Sequence, residues 1–199
     1  MNMFKVIVTQ RVDSLKERNE TRDALDQNIC RWVVAAGGLP FPVSNVLDEV
    51  SLLQYLHQIN PDAVILSGGN DVGDFQCRDN TETLILDWAH LHKIPTLGIC
   101  RGMQMLVTWS GGTLNEVSEH VGKRHDIYGD ISTNVNSFHR YGASSVPEEF
   151  TVIARSVEGT IEAISHRDWP CEGWMWHPER DLPFSRIWLD RFYKLVTRG

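Results

Sequence analysis

The stretch Gly98-Ile99-Cys100-Arg101-Gly102 constrains this chain more than any other. Thr96–Ile99 reads as a buried strand running into it, and a helix is predicted from Arg101 to about Trp109. A residue at such a strand-to-helix corner sits on a strained turn, with its side chain exposed above the sheet edge. The flanking glycines remove Cβ atoms that would clash as strand and helix pack closely. The helix dipole then favours a thiolate at Cys100. The Arg101 N–H can point at a developing oxyanion. With four cysteines in the chain, this glycine frame is expected about 0.02 times by chance at ordinary glycine frequency. Cys100 is therefore the candidate nucleophile. Cys30, Cys77 and Cys171 lack this setting and read as structural or incidental.

A nucleophile elbow needs a sheet, and the N-terminal half supplies the pattern for one. Strands are predicted over Phe4–Val8, Leu39–Val43, Ala63–Leu66 and Thr96–Ile99. Helices are predicted over Arg22–Ala36, Asp48–Ile59 and Thr81–His92 between them. This alternation implies an α/β fold with a mostly parallel sheet flanked by helices. The C-terminal half changes character, with short strand candidates at Ile131–Val135, Thr151–Ala154, Ile161–Ser165 and Gly173–Trp176, and a closing helix over Phe184–Val196. No repeat or linker interrupts the 199 residues, so one domain over 1–199 is expected.

A second constellation, Trp176-His177-Pro178-Glu179, follows the last strand candidate. In extended chain, a two-residue spacing puts His177 and Glu179 on the same side, and Pro178 stiffens the pair. Such a His takes the thiol proton and delivers it to a leaving amine, while the carboxylate fixes its tautomer. Together with Cys100 these residues form a candidate Cys-His-Glu triad for amide hydrolysis.

Composition narrows the alternatives. The net charge of −7 argues against a nucleic-acid polymer as partner. The cysteines show no C-x-x-C spacing, which argues against a disulfide framework or zinc ribbon. No apolar run is long enough to span a bilayer, and the first residues lack the pattern of a signal peptide, so a cytoplasmic protein without a membrane partner is expected. His120 and His125 have no Cys or acidic ligand pattern near them in sequence, so no metal is expected. The triad chemistry needs no cofactor.

These residues carry a family resemblance. Gly-Ile-Cys-Arg-Gly-Met-Gln at 98–104, Ser-Gly-Gly-Asn-Asp at 67–71 and His-Pro-Glu at 177–179 resemble a class I glutamine amidotransferase domain with a flavodoxin-like sheet. Arg78–Asp79, the Cys-Arg-Gly elbow and Asn136-Ser137-Phe138-His139 resemble its γ-glutamyl hydrolase branch. Within that branch, Val-Thr-Gln-Arg at 8–11, His120–Lys123, Gly159–Ala163 and Met175–His177 are similar to the γ-glutamyl-CDP-amidate hydrolases of bacterial capsule phosphoramidate synthesis. The resemblance implies Gly69 N–H as the second oxyanion donor beside Arg101. It implies Gln104, Asn70, Asn136, Ser137 and His139 around the γ-glutamyl substrate. Ser67 stands where the family's oxyanion loop often begins with Pro. Lys123, Arg124 and Arg11, with Arg101, could recognise a diphosphate, or could be solvated surface charge. The expected substrate is a small γ-glutamyl amide, a nucleotide-linked one first among the options. The alternatives are a γ-glutamyl-polyamine hydrolase of the γ-glutamyl-γ-aminobutyrate type, or a glutaminase subunit serving a separate synthase chain. No obligatory synthase partner is expected.

Overall fold

The computed structural model describes residues 3–118 and 120–197. The chain opens with strand β1 (Phe4–Val8) and then a hairpin of β2 (Arg11–Leu15) and β3 (Glu20–Ala24), paired antiparallel as a sheet of their own. This corrects the helix expected over Arg22–Ala36. Helix α1 (Gln27–Ala35) begins only after Asp26, whose carboxylate accepts from the Asn28 N–H. The preceding residues Arg22, Asp23 and Ala24 pair with β2.

Next come β4 (Gly38–Pro42), α2 (Glu49–Ile59), β5 (Ala63–Leu66), α3 (Gln76–Leu91), β6 (Thr96–Ile99) and α4 (Arg101–Trp109). Asp48 caps α2 by accepting from Ser51 N–H. Helix α3 starts five residues before the predicted Thr81, so that Arg78 and Asp79 lie within it. The C-terminal half holds β7 (Thr113–Glu116), β8 (Val121–Gly129), β9 (Thr133–Phe138), β10 (Tyr141–Ser145), β11 (Phe150–Ser156), β12 (Ile161–His166) and β13 (Cys171–Trp174). A 3-10 turn at Pro178–Arg180 and α5 (Arg186–Thr197) close the chain. Strands β7, β8 and β10 are absent from the sequence-level expectation. They are largely polar and exposed, and it is pairing that makes them strands.

The main sheet runs β4-β1-β5-β6-β13-β12-β11-β8-β9, with β10 pairing β12 and β7. The first five strands are mutually parallel, forming the expected parallel core. From β13 onward the pairing is antiparallel. Alternation along each strand splits the interior into two layers. Val6, Val8, Trp174 and Trp176 face Trp32 of α1 and Trp188 and Phe192 of α5. Ile7 and Met175 face the other way, with Leu52 and Leu56 of α2, Ile85 of α3, and Met103 and Leu106 of α4. Each such side chain contributes about 1.5–3 kcal/mol on burial. Strands β5, β6 and β13 are adjacent and parallel, so the segments that follow them emerge at one edge. Those segments carry Ser67–Gly69, Cys100 and His177, and ligand sites of open α/β sheets form at this edge. Among the described residues no helix is long and apolar enough to cross a membrane.

Candidate active site

Cys100 occupies the corner between β6 and α4 with φ of 51°, a left-handed conformation that a non-glycine residue rarely adopts. The turn is held on both sides, Cys100 N–H donating to Trp174 O (2.7 Å) and Gln104 N–H to Cys100 O (3.1 Å). The glycine frame acts as the sequence suggests. A Cβ on Gly102 would lie 2.1 Å from Leu66 O, and one on Gly98 would lie 2.6 Å from the Gly102 carbonyl. Strand and helix therefore approach at backbone distance, which fixes where the thiol points.

His177 leaves β13 in extended conformation, and its Nδ1 lies 2.6 Å from Glu179 Oε1. Glu179 itself sits in the 3-10 turn rather than in extended chain, so the pair is brought together by a turn starting at Pro178. Both residues are buried. Burial pushes the His177 imidazole down, but the Cys100 thiol and Glu179 carboxylate outweigh it and raise it to about 9. Gly68 closes the other side, where a Cβ would meet His177 Cε1 at 2.7 Å. The Phe138 ring stands edge-on to the imidazole at 5.8 Å, with the Arg180 guanidinium over its outer face at 4.5 Å.

Asn136 has a different place from the substrate contact expected of it. Its amide clasps the His177 backbone, accepting from His177 N–H and donating to His177 O, both at 2.8 Å. It also donates to Asp181 Oδ1 at 3.1 Å. Ser137 is likewise turned inward, its hydroxyl donating to His120 O at 2.5 Å. The Asn70 amide is used by β2, accepting from Val12 N–H and donating to Val12 O. Asn136 and Ser137 are therefore framework residues, satisfied by buried backbone across the fold, whereas Asn70 both holds β2 and borders the cavity over Cys100.

Beneath the Ser67–Gly69 loop lies a buried ionic cluster. Arg78 donates to Ser67 O (2.7 Å), Gly68 O (3.1 Å) and Glu82 Oε1 (3.0 Å). Thr9 Oγ1 donates to Glu82 and accepts from Ser67 N–H. The Arg101 guanidinium pairs with Asp79 and Glu82. Burial pushes Arg78 down to about 10, and burial together with Arg78 pushes Arg101 down to about 9, so both stay charged at neutral pH. The Arg101 guanidinium is thus committed to two carboxylates beneath the loop rather than left to a diphosphate. Gly69 adopts φ of 125°, and a Cβ there would meet Arg11 Cβ at 2.7 Å and Arg78 Nη1 at 2.8 Å. Glycine is required to bring this loop against Arg78.

A cavity of about 330 Å³ opens over Cys100, bordered by Arg11, Gly69, Asn70, Asp71, Asp74, Arg101, Gln104, Phe138, His139 and Arg140. Gln104 Nε2 donates to Tyr141 O, tying α4 to the wall that carries His139 and Arg140. Lys123 and Arg124 do not border this cavity; Arg124 pairs with Asp181 and Asn134. Arg140 does border it, and nothing in its sequence context distinguishes it from other surface arginines. No acidic ligand pattern lies near His120 and His125 in sequence, but the fold supplies an acidic neighbour. Glu162 of β12 stands between them, with its oxygens 3.4 Å from each.

The glutamine amidotransferase class-I family profile matches residues 20–189. The chain belongs to this family. Among its relatives, γ-glutamyl-CDP-amidate hydrolase of Campylobacter jejuni is 33% identical over 164 residues, covering 79% of this chain and 80% of that protein. γ-Glutamyl-γ-aminobutyrate hydrolase PuuD of Escherichia coli is 29% identical, covering 88% and 87%. A solved structure from Thermoplasma acidophilum, named for GMP synthase, superposes with a TM-score of 0.76. At 17% identity over 100% of this chain and 96% of that one, it shows a shared fold. The class I glutamine amidotransferase fold therefore accounts for the parallel core and for the edge at which the elbow stands.

Proposed function

We propose that this class I amidotransferase homologue hydrolyses a γ-glutamyl amide, with Cys100 as nucleophile, His177 as acid and base, and Glu179 as orienter. One observation carries the reading. A buried imidazole, bonded at 2.6 Å to a carboxylate and raised to about 9 by the Cys100 thiol and that carboxylate, is basic enough to take the thiol proton and hold it for the leaving nitrogen. The Cys100 sulfur attacks the γ-carbonyl carbon, and the N–H groups of Gly69 and Arg101 stabilise the oxyanion. His177 gives its proton to the departing nitrogen, leaving a γ-glutamyl thioester. The same imidazole then accepts a proton from water, which attacks the thioester and releases glutamate. The chemistry uses no cofactor.

The relatives order the substrates. A γ-glutamyl-CDP-amidate, cleaved between the glutamyl carbonyl and the amidate nitrogen, is the first choice, because the relative of that name has the higher identity of the two. Release of cytidine diphosphoramidate would place the enzyme in capsular phosphoramidate synthesis, in the cytoplasm. Arg11 and Arg140 at the cavity rim are the cations available to a diphosphate. The γ-glutamyl-γ-aminobutyrate type is the second reading, favoured by the longer match to PuuD. Both are free-standing activities of a single domain and need no synthase partner. Comparing kcat/KM for the nucleotide conjugate, γ-glutamyl-γ-aminobutyrate and glutamine, each with and without Arg140→Ala, tests the assignment. Preference for the nucleotide conjugate, with KM rising for it alone in the variant, is expected. Higher kcat/KM for either competitor would reject the first choice and leave the triad standing.

A further inference from the structure

The antiparallel half holds a polar cluster that this chemistry does not use. His120 precedes β8, His125 lies within β8, His139 follows β9, and Glu162 is on β12. His120, His139 and Glu162 are at most 5% exposed, and His125 is partly buried. His120 Nδ1 is 3.2 Å from His139 Nε2 and 3.4 Å from Glu162 Oε1. His139 Nε2 is 3.5 Å from the same Glu162 oxygen, and His125 Nε2 is 3.4 Å from Glu162 Oε2. Despite these approaches, Glu162 Oε1 and His125 Nε2 are buried without a hydrogen bond among the described residues. Their neighbours crowd round them without a bonding angle, which is costly for a buried carboxylate.

A cation resolves this arrangement. His139 Nδ1 lies 3.1 Å from Tyr141 O, which can only accept, so in the neutral ring Nδ1 carries the proton and Nε2 keeps its lone pair towards the cluster. A ring nitrogen fixed by a backbone carbonyl on its far side is the usual support of a metal-bound histidine. Zinc bonds of 2.0–2.1 Å in tetrahedral array separate ligand atoms by about 3.3 Å. The triangle of His120, His139 and Glu162 has edges of 3.2, 3.4 and 3.5 Å. The ligand atoms of His120, His125 and Glu162 also lie within 4.8 Å of one another. We propose that His120, His125, His139 and Glu162 bind one divalent transition-metal ion, with zinc as the fitting class. The ion joins β8, the β9–β10 turn and β12 behind the wall that carries Phe138 and Arg140. It acts as a clamp on the cavity wall, apart from the reacting atoms.

The test uses the full chain carrying Cys100→Ala, so that the thiol beside His177 cannot capture metal. The protein is stripped with a chelator and titrated with Co²⁺ alone. One equivalent bound per chain, with the visible absorption of tetrahedral cobalt and displacement by Zn²⁺, is expected. In the same background Glu162→Gln and His125→Asn should each weaken Co²⁺ binding at least tenfold, whereas His177→Asn should leave it unchanged. Should Glu162→Gln fail to fold, the partly exposed His125→Asn still decides. Absence of stoichiometric binding, or binding lost with His177→Asn and kept with His125→Asn, overturns the proposal.

Discussion

Replacing Glu179 by Gln tests the electrostatic core of the site. The Glu179 carboxylate is buried and accepts from His177 at 2.6 Å, so the bond is charge-assisted and little screened. Such a bond is worth about 1.5–3 kcal/mol, and a neutral amide recovers about half of it or less. At 1.36 kcal/mol per pKa unit, the imidazolium should lose about one to two units. The native imidazole is raised to about 9. The alkaline fall of kcat/KM, set by loss of the imidazolium, should therefore move down by that one to two units in the variant. At pH 7.5 the rate should drop about 10- to 100-fold, the part lost in the transition state adding to the part lost by titration. Stability follows the same sign. A folded pKa above the unfolded value of about 6.5 contributes stability fully present below pH 6.5 and lost as pH rises through about 9. The variant should give up part of that contribution on the acid side and match the parent above pH 9. The assay is glutamate release from a γ-glutamyl amide between pH 6 and 10, with denaturant unfolding at pH 6 and 9.5. An unmoved alkaline limb and unchanged rate would refute the reasoning.

Further outcomes follow from single contacts. Cys100→Ala should abolish turnover with near-native circular dichroism and melting temperature, since a smaller side chain meets no new neighbour at the elbow. Gly68→Ala puts a Cβ 2.7 Å from His177 Cε1 and should lower kcat about 10- to 100-fold, with little change in unfolding free energy. Asn136→Ala strips both partners from the His177 backbone, costing about 1–3 kcal/mol per buried group; denaturant titration should show it, and kcat should fall more than KM rises. Lys123→Ala combined with Arg124→Ala should change KM for a nucleotide conjugate less than Arg140→Ala does, in a direct comparison of the purified variants.

The parts legible in sequence are those whose causes are local. Gly98 and Gly102 flank Cys100 because strand and helix touch within a few residues of the turn, so the requirement is written beside the nucleophile. His177 and Glu179 are likewise two residues apart, and only the turn that joins them differs from the extended chain expected. Strands β5 and β6 at the centre carry an apolar pattern strong enough to read directly, because both of their faces are buried. The rest depends on which strands lie side by side. Asn136 meets His177 across 41 residues, Arg101 meets Asp79 across 22, and Glu162 reaches His120 and His125 only because β12 lies beside the strands that place them. A polar side chain in sequence carries no mark of its partner, so Asn136 and Ser137 read as substrate contacts until the fold supplies backbone groups to satisfy them. The same holds for charge. The sequence by itself determined the strand-to-helix corner at Cys100, because backbone sterics act over a few residues. The tertiary structure decided which arginines are buried counter-ions and which face the cavity, because desolvation and ion pairing depend on burial that only the packed sheet creates.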